Sequence, residues 1–174
     1  MVPKYNDTTT VSDSGLTLTL PSDREIEMTR VFNAPRHRVF EAHIQCERLK
    51  EWWGPRDYKL VSCEVDVRPG GPWRFVQHGP DGKEYAFRGE YLEVEAPERL
   101  VQTFEFEGMP GYVSLETLTL VEHDGRTTLT SHSLFDSSEA RDGMLESGME
   151  AGARETWDRL AECLEGITHA EVSP

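Results

Sequence analysis

Residues 59–82 read KLVSCEVDVRPGGPWRFVQHGPDG, and their pattern decides the fold. From Lys59 to Val67 the alternation sets Val61, Cys63, Val65 and Val67 on one face, the period-two signature of a half-buried strand. Pro69-Gly70-Gly71-Pro72 is turn chemistry, since proline presets φ and glycine reaches the conformations a reversal needs. Trp73, Phe75 and Gln77 share a face of the returning strand, and Pro80-Asp81-Gly82 turns the chain again. The same grammar continues downstream. Strands are predicted over Tyr85 to Val94, Leu100 to Phe106, Val113 to Val121 and Arg126 to Leu134, separated by Ala96-Pro97, Met109-Pro110-Gly111 and Asp124-Gly125. Strands at such short, even spacing form a curled antiparallel sheet.

Upstream, Leu16, Leu18 and Leu20 alternate with Thr17 and Thr19, and Pro21-Ser22-Asp23 interrupts. The strand pattern resumes from Arg24 to Phe32 with Ile26 and Met28. Pro35 suits the first turn of a short helix presenting Val39, Phe40 and His43, and a second short helix over Glu47 to Trp53 stops at Gly54-Pro55. Downstream, Ser137 to about Gly166 contains no proline. Leu145, Met149, Thr156, Leu160, Leu164 and Ile167 form a stripe at helical spacing, with Trp157 and Cys163 beside it, so one long amphipathic helix capped by Ser137 or Ser138 is predicted. Gly143, Gly148 and Gly152 interrupt it, each costing roughly 1 kcal/mol relative to alanine. Close approach of the sheet, a bend, or open space beside the helix would account for them. The fold class is α+β: a curved antiparallel β-sheet wrapped around a long C-terminal α-helix, with two short helices after the first strand. Residues 16–167 form a single domain between a disordered N-terminal tail (1–15) and a C-terminal tail (168–174).

The chain has 174 residues, 32 acidic against 18 basic, for a formal net charge of −14. That balance argues against a nucleic-acid surface, which needs clustered Lys and Arg, and against a polybasic membrane anchor. No apolar run approaches the ~20 residues of a membrane helix, and the polar start has no signal-peptide core. Cys46, Cys63 and Cys163 form no CxxC pair, and an odd, unpaired count fits reduced thiols in a cytoplasmic protein.

The element order resembles the helix-grip fold of the START-like (SRPBCC) superfamily, and the residues resemble the branch named for the activator of the heat-shock protein 90 ATPase homologue. The matching stretches are Thr29-Arg30-Val31-Phe32-Asn33-Ala34-Pro35 running into Val39-Phe40, Trp52-Trp53-Gly54-Pro55, and Asp66-Val67-Arg68-Pro69-Gly70-Gly71. Gly89-Glu90-Tyr91-Leu92-Glu93-Val94 with Pro97-Glu98-Arg99-Leu100 continues the match, as do Ala140-Arg141-Asp142-Gly143-Met144 and Asp158-Arg159-Leu160. The resemblance implies a cavity between the sheet and the C-terminal helix that takes a small hydrophobic ligand of lipid, sterol or polyketide type. It also implies two alternatives: a polyketide cyclase or aromatase-like enzyme, and a stress-related, chaperone-associated protein. The eukaryotic activator has a separate N-terminal domain for the chaperone, and the residues before Leu20 are too few to supply one, which argues against chaperone activation. Met149 stands where the family often has Trp.

Catalytic motifs do not turn up. There is no GxSxG, no nucleophile context around any cysteine, no P-loop and no dinucleotide fingerprint. The six histidines show no metal-ligand spacing, so no cofactor and no metal are expected and the catalytic residues are unknown. What remains is a set that could line one cavity: Trp73 and Phe75, Phe87 and Tyr91, Phe104 and Phe106, converging on Met144, Met149 and Trp157. Large aromatics on such faces are core filling first and ligand contacts second. Trp52 and Trp53 point about 100° apart on a helix, so one seals the mouth of the sheet and the other is free to act as a lid or partner contact; Trp52 is included in the site. Glu116 shares a face with Leu118 and Leu120, and His132 with Leu134. An inward carboxyl or imidazole would be an acid, a base or a ligand anchor. Arg30, Asp66 and Arg68 are expected to form a structural charge network near the Pro69 turn.

Overall fold

The computed structural model describes residues 10–11 and 15–172, with side chains from 15 to 166. Among these are nine strands and four helices: β1 (Thr10–Val11), β2 (Thr17–Thr19), β3 (Glu25–Phe32), α1 (Arg36–Ile44), α2 (Cys46–Trp52), β4 (Lys59–Val65), β5 (Pro72–His78), β6 (Glu84–Glu95), β7 (Arg99–Phe106), β8 (Val113–His123), β9 (Arg126–Leu134), α3 (Ser138–Glu146) and α4 (Met149–Val172). The strands make one antiparallel sheet in the order β1-β2-β3-β9-β8-β7-β6-β5-β4. β3 and β4 are consecutive in sequence but six places apart in the sheet, so α1 and α2 carry the chain across it. β4 to β9 form a meander, and its last hairpin closes on Asp124-Gly125, both at positive φ as a two-residue turn requires. The core lies between the sheet's inner face and the helices, with Leu16, Leu18, Leu20, Ile26, Phe32, Val39, Phe40, Leu129, Leu160 and Leu164 buried.

Three expectations about these elements change. The long C-terminal helix is two helices, α3 and α4, broken at Ser147-Gly148. Ser137 caps α3 by accepting from the Ala140 amide at 3.1 Å, and Ser147 ends it. Gly148 then takes φ +84°, a left-handed conformation that glycine adopts without steric cost, and α4 restarts at Met149. In β4 the face is set by a bulge between Leu60 and Ser62. It turns Leu60 inward (4 % exposed) and Val61 outward (39 %), while Cys63 and Val65 keep the inner face. Finally, of the tail predicted over 1–15, residues 1–9 and 12–14 lie outside the described residues and Thr10–Val11 pair with β2. At the other end α4 is helical to Val172, within the segment 168–174 predicted as a tail; the side chain of Ile167 lies outside the described residues.

The glycines at the break separate by conformation. Gly148→Ala forces a side chain into the left-handed region and is expected to destabilise the domain by about 1 kcal/mol. Gly143 is helical with open space where a Cβ would stand, so Gly143→Ala is expected to stabilise by about 0.5–1 kcal/mol. Urea unfolding of both variants checks the opposite signs.

Candidate functional site

Antiparallel pairing places the concave-face residues in rows. Phe75 of β5 stands opposite Phe87 of β6, and Phe87 opposite Phe106 of β7. In the adjoining row Trp73 stands opposite Gly89, with Phe104 beside them. Ring centroids lie 4.8 Å apart for Trp73 and Phe75, 5.9 Å for Trp73 and Phe104, 5.5 Å for Phe87 and Phe104, and 5.1 Å for Phe87 and Phe106. The wall closes because Gly89 has no side chain. A Cβ there would stand 1.9 Å from the Thr103 carbonyl oxygen and 2.4 Å from the Trp73 indole nitrogen. Trp73 and Phe75 are buried, whereas Phe87, Phe104 and Phe106 keep part of their surface exposed. Trp53, just past the end of α2, meets this wall edge-on, 5.0 Å from Phe75 and 5.2 Å from Phe87.

A polar row abuts the aromatic one. Tyr91 of β6 pairs with Gln102 of β7, Gln102 with Glu116 of β8, and Glu116 with Ser133 of β9. All four face inward, and Phe104 follows Gln102 on the same face of β7. Burial pushes the Tyr91 phenol well above its ordinary range. It pushes the Glu116 carboxyl up to about 7, partly opposed by a hydrogen bond from the Gln102 amide. Glu116 nevertheless retains some solvent-exposed surface, so it can exchange a proton or meet a ligand. Met144 of α3 and Met149 of α4 are only partly buried against the core, and the neighbouring Gly143 and Gly148 are exposed, with no atom within 4 Å of where a Cβ would stand. Among the described residues no three His, Cys, Asp or Glu side chains converge to hold a metal ion.

The structure therefore gathers Phe75, Phe87, Phe104, Phe106, Tyr91 and Glu116 on one face with Trp73 beneath them, and moves other candidates elsewhere. His132 faces outward and pairs with Glu25 on the convex side. The inner residues of β9 are Thr127, Leu129 and Ser131, which puts Leu134 and His132 on the other parity. Trp52 is core: its Nε1 donates to the Ala42 carbonyl at 3.0 Å and its ring packs edge-on against His43. Desolvation holds the His43 imidazole down at about 4, with Nδ1 2.7 Å from the Val39 carbonyl oxygen. Trp157 packs edge-on against Phe32, 5.8 Å away on the β3 side of the core, not on the aromatic wall. Arg30 does not join Asp66 and Arg68, which pair with each other at 2.9 Å. It bonds Asp158 of α4 at 2.6 Å and lies over the Phe32 ring.

Two residues were missed. Trp53, weighed above as one of a pair and left out of the site, is the tryptophan that meets the wall, and its signal was the Gly54-Pro55 stop, which leaves it beyond the helix and free to turn back. Gln102 was readable from its parity with Leu100, Phe104 and Phe106. Two depressions, of about 240 and 440 Å³, lie on the outer face around Thr103 and Val113. The larger is floored by Arg88 and Glu105, already paired at 2.7 Å.

The cysteines overturn the reduced-thiol expectation. Cys46 and Cys63 form a disulfide, 17 residues apart in sequence, and Cys163 alone is a free thiol. Burial and the neighbouring Glu51 carboxylate raise that thiol to about 12, so it is not a nucleophile at neutral pH. The disulfide ties the first residue of α2 to the inner face of β4 beside Phe75. Closing a loop of that length is worth about 3 kcal/mol in the chain-entropy description. Cys46→Ser/Cys63→Ser is expected to lower unfolding stability by about that amount.

Glu116 gives a second prediction. Its folded pKa lies above the ordinary carboxyl value of 4.5, so the unfolded chain ionises first as pH rises. Stability is then lost between about pH 4.5 and 7, the penalty is full above that window, and there is none below it. Glu116→Gln is expected to be more stable than the parent at pH 8 by on the order of 2 kcal/mol, with the difference vanishing near pH 4. Denaturant unfolding at the two pH values measures it.

Comparison with known proteins fits this geometry. A crystal structure of a Rhodobacter sphaeroides protein superposes with a TM-score of 0.82 at 26% identity, over 87% of this chain and 98% of that one. A Mycobacterium smegmatis protein gives 0.77 at 28% identity, over 89% and 97%. The AHSA1 protein of Silicibacter pomeroyi shares the fold at 20% identity, with a TM-score of 0.64 over 79% and 95%. No curated protein matches the chain. No helix among the described residues is long and apolar enough to cross a membrane. The family model described as activator of Hsp90 ATPase homolog 1-like protein matches residues 33–165, and with three quarters of its length inside that match the chain belongs to this family.

Proposed function

We propose that the protein binds a small hydrophobic ligand of lipid, sterol or polyketide type in the concavity between the sheet and α3/α4. The observation that carries this reading is the incomplete closure of the inner face. Phe87, Phe104, Phe106, Leu118 and Met28 point toward the core side yet stay partly exposed, and so do Met144 and Met149 opposite them. A domain that only needed a core would bury such side chains, each worth about 1.5–3 kcal/mol when fully removed from water. The helix-grip fold as a class supports the same reading. Rigid rings supply shape and area, Glu116 and Gln102 supply the few polar contacts that orient a ligand, and the methionines supply an adaptable cover.

Glu116 also favours a second reading, a cyclase or aromatase-like enzyme. A carboxyl held near neutrality beside an aromatic wall suits general acid–base chemistry. Turnover abolished by Glu116→Gln with binding retained would select it.

The test is an amide chemical-shift titration of the labelled protein with a fatty acid, a sterol, a flavonoid and a polyketide-like aromatic. Saturable shifts are expected on the inner residues of β6 to β8 and on 143–157. No shift from any of the four would overturn the reading. Phe104→Ala is expected to weaken binding about tenfold while costing on the order of 2 kcal/mol, whereas Trp73→Ala, deep in the wall, costs about 3–5 kcal/mol.

A further inference from the structure

We infer that the ligand of this site has a cationic head: a planar or aromatic body lying against the wall of Phe87, Phe104 and Trp53, with an ammonium group set against Glu116. The inference rests on the binding reading above and narrows it from hydrophobic ligands in general to organic amines.

Three observations lead there. The first is an account of charge on the concave side. Every cationic side chain that the sheet and the C-terminal helices bring near it is already engaged. Arg30 bonds Asp158, and Arg141 bonds Asp142 and the Ser22 carbonyl. Arg154 pairs with Glu150, and Arg159 donates to the carbonyls of Glu51, Gly54 and Pro55. Glu116 is the group left over. Its partner is the neutral Gln102 amide, and among the described residues no ion pair includes it. A carboxyl desolvated without a counter-ion is costly, and an ammonium ion supplies the missing charge and hydrogen bonds together.

The second observation is the character of the wall. Ring faces carry negative quadrupole potential and attract cations. Among the described residues the cation–π contact formed within the protein is Arg30 over Phe32, so the faces of Phe87, Phe104 and Phe106 are free of internal cations. Phe104 follows Gln102 on the inner face of β7, and Gln102 stands opposite Glu116; rings and carboxyl are therefore neighbours. The third is long-range. A net charge of −14 draws cations and repels the anionic head of a fatty acid.

The experiment uses the full chain and three probes with one body and different heads: naphthylmethylammonium, naphthylmethanol and naphthoate. Affinities are measured by calorimetry at about pH 8, on the parent and on Glu116→Gln. The ammonium probe is expected to bind at least about tenfold more tightly than the alcohol, and naphthoate weakest. Glu116→Gln is expected to bring the ammonium and alcohol probes within about twofold of each other. The alcohol or naphthoate binding as tightly as the ammonium probe would overturn the cationic head and leave the hydrophobic site standing. So would an ammonium preference that survives in Glu116→Gln, because overall charge would then explain it. Binding of none of the three would overturn the cationic head, while the hydrophobic site is decided separately by the four-ligand titration above. The head-group comparison on the parent protein decides the matter even if the variant folds poorly.

Discussion

The guanidinium of Arg159 donates to three backbone carbonyls at one corner of the molecule: Gly54 at 2.7 Å, Pro55 at 3.2 Å and Glu51 at 3.0 Å. The end of a helix leaves its last carbonyls without intrahelical donors, and a cation there also answers the negative end of the helix dipole. Arg159 therefore finishes α2 while anchoring α4, and Trp53 lies within the segment it holds. Neighbouring contacts lock the same corner. Arg56 reaches Glu162 through both terminal nitrogens, its backbone amide donates to Glu155, and Pro55 lies at van der Waals distance, 3.6 Å, from where a Cβ on Gly152 would stand. Removing the Arg159 charge would orphan carbonyls at the one place where the chain passes from helix to sheet.

From that joint the placement of Trp53 follows. α2 is fixed at its far end by the Cys46–Cys63 disulfide and at its near end by Arg159. Trp53 leaves the helix between these anchors with its φ and ψ already extended, and its ring falls on Phe75 and Phe87. Neither anchor belongs to the sheet's own hydrogen-bond ladder. The wall is held by strand pairing and Trp53 by an independent pair of contacts.

Periodicity made most of this legible. The four strands read from Tyr85 to Leu134 appear within two residues of their observed ends, because turn residues such as Asp124-Gly125 fix both the ends and the register. Parity inside strands was safe where inner residues are apolar, as for Glu116, which shares its face with Leu118 and Leu120. It misled where they are not. β9 turns Thr127, Ser131 and Ser133 inward, and Thr127 satisfies its hydroxyl by donating to the Ala34 carbonyl at 2.7 Å, so hydrophobicity alone picked the wrong face for His132. A bulge at Val61 and a left-handed glycine at 148 are single-residue events that no stripe or alternation encodes. The disulfide is further still from local pattern. Its pairing exists because α2 crosses over β4, which is a property of the topology.

The two sides of the inner face differ in character, and under the proposed binding function that difference divides the labour. The sheet side is rigid: aromatic rings spaced 5–6 Å apart on paired strands leave little freedom to re-pack. The helix side is more adaptable, with Met144 and Met149, both only partly buried against the core, flanking a break at Gly148. Methionine fills irregular space by rotating three flexible bonds, and a helix interrupted at a glycine can shift its two halves separately. Under the proposed binding function, shape selection resides in the wall, polar selection in Glu116 with Gln102, and tolerance of ligand size in the cover. Exchanging these roles would fail on energetic grounds. A soft wall would collapse into the apolar space, and a rigid cover of Leu or Phe would fill it and convert the site into core.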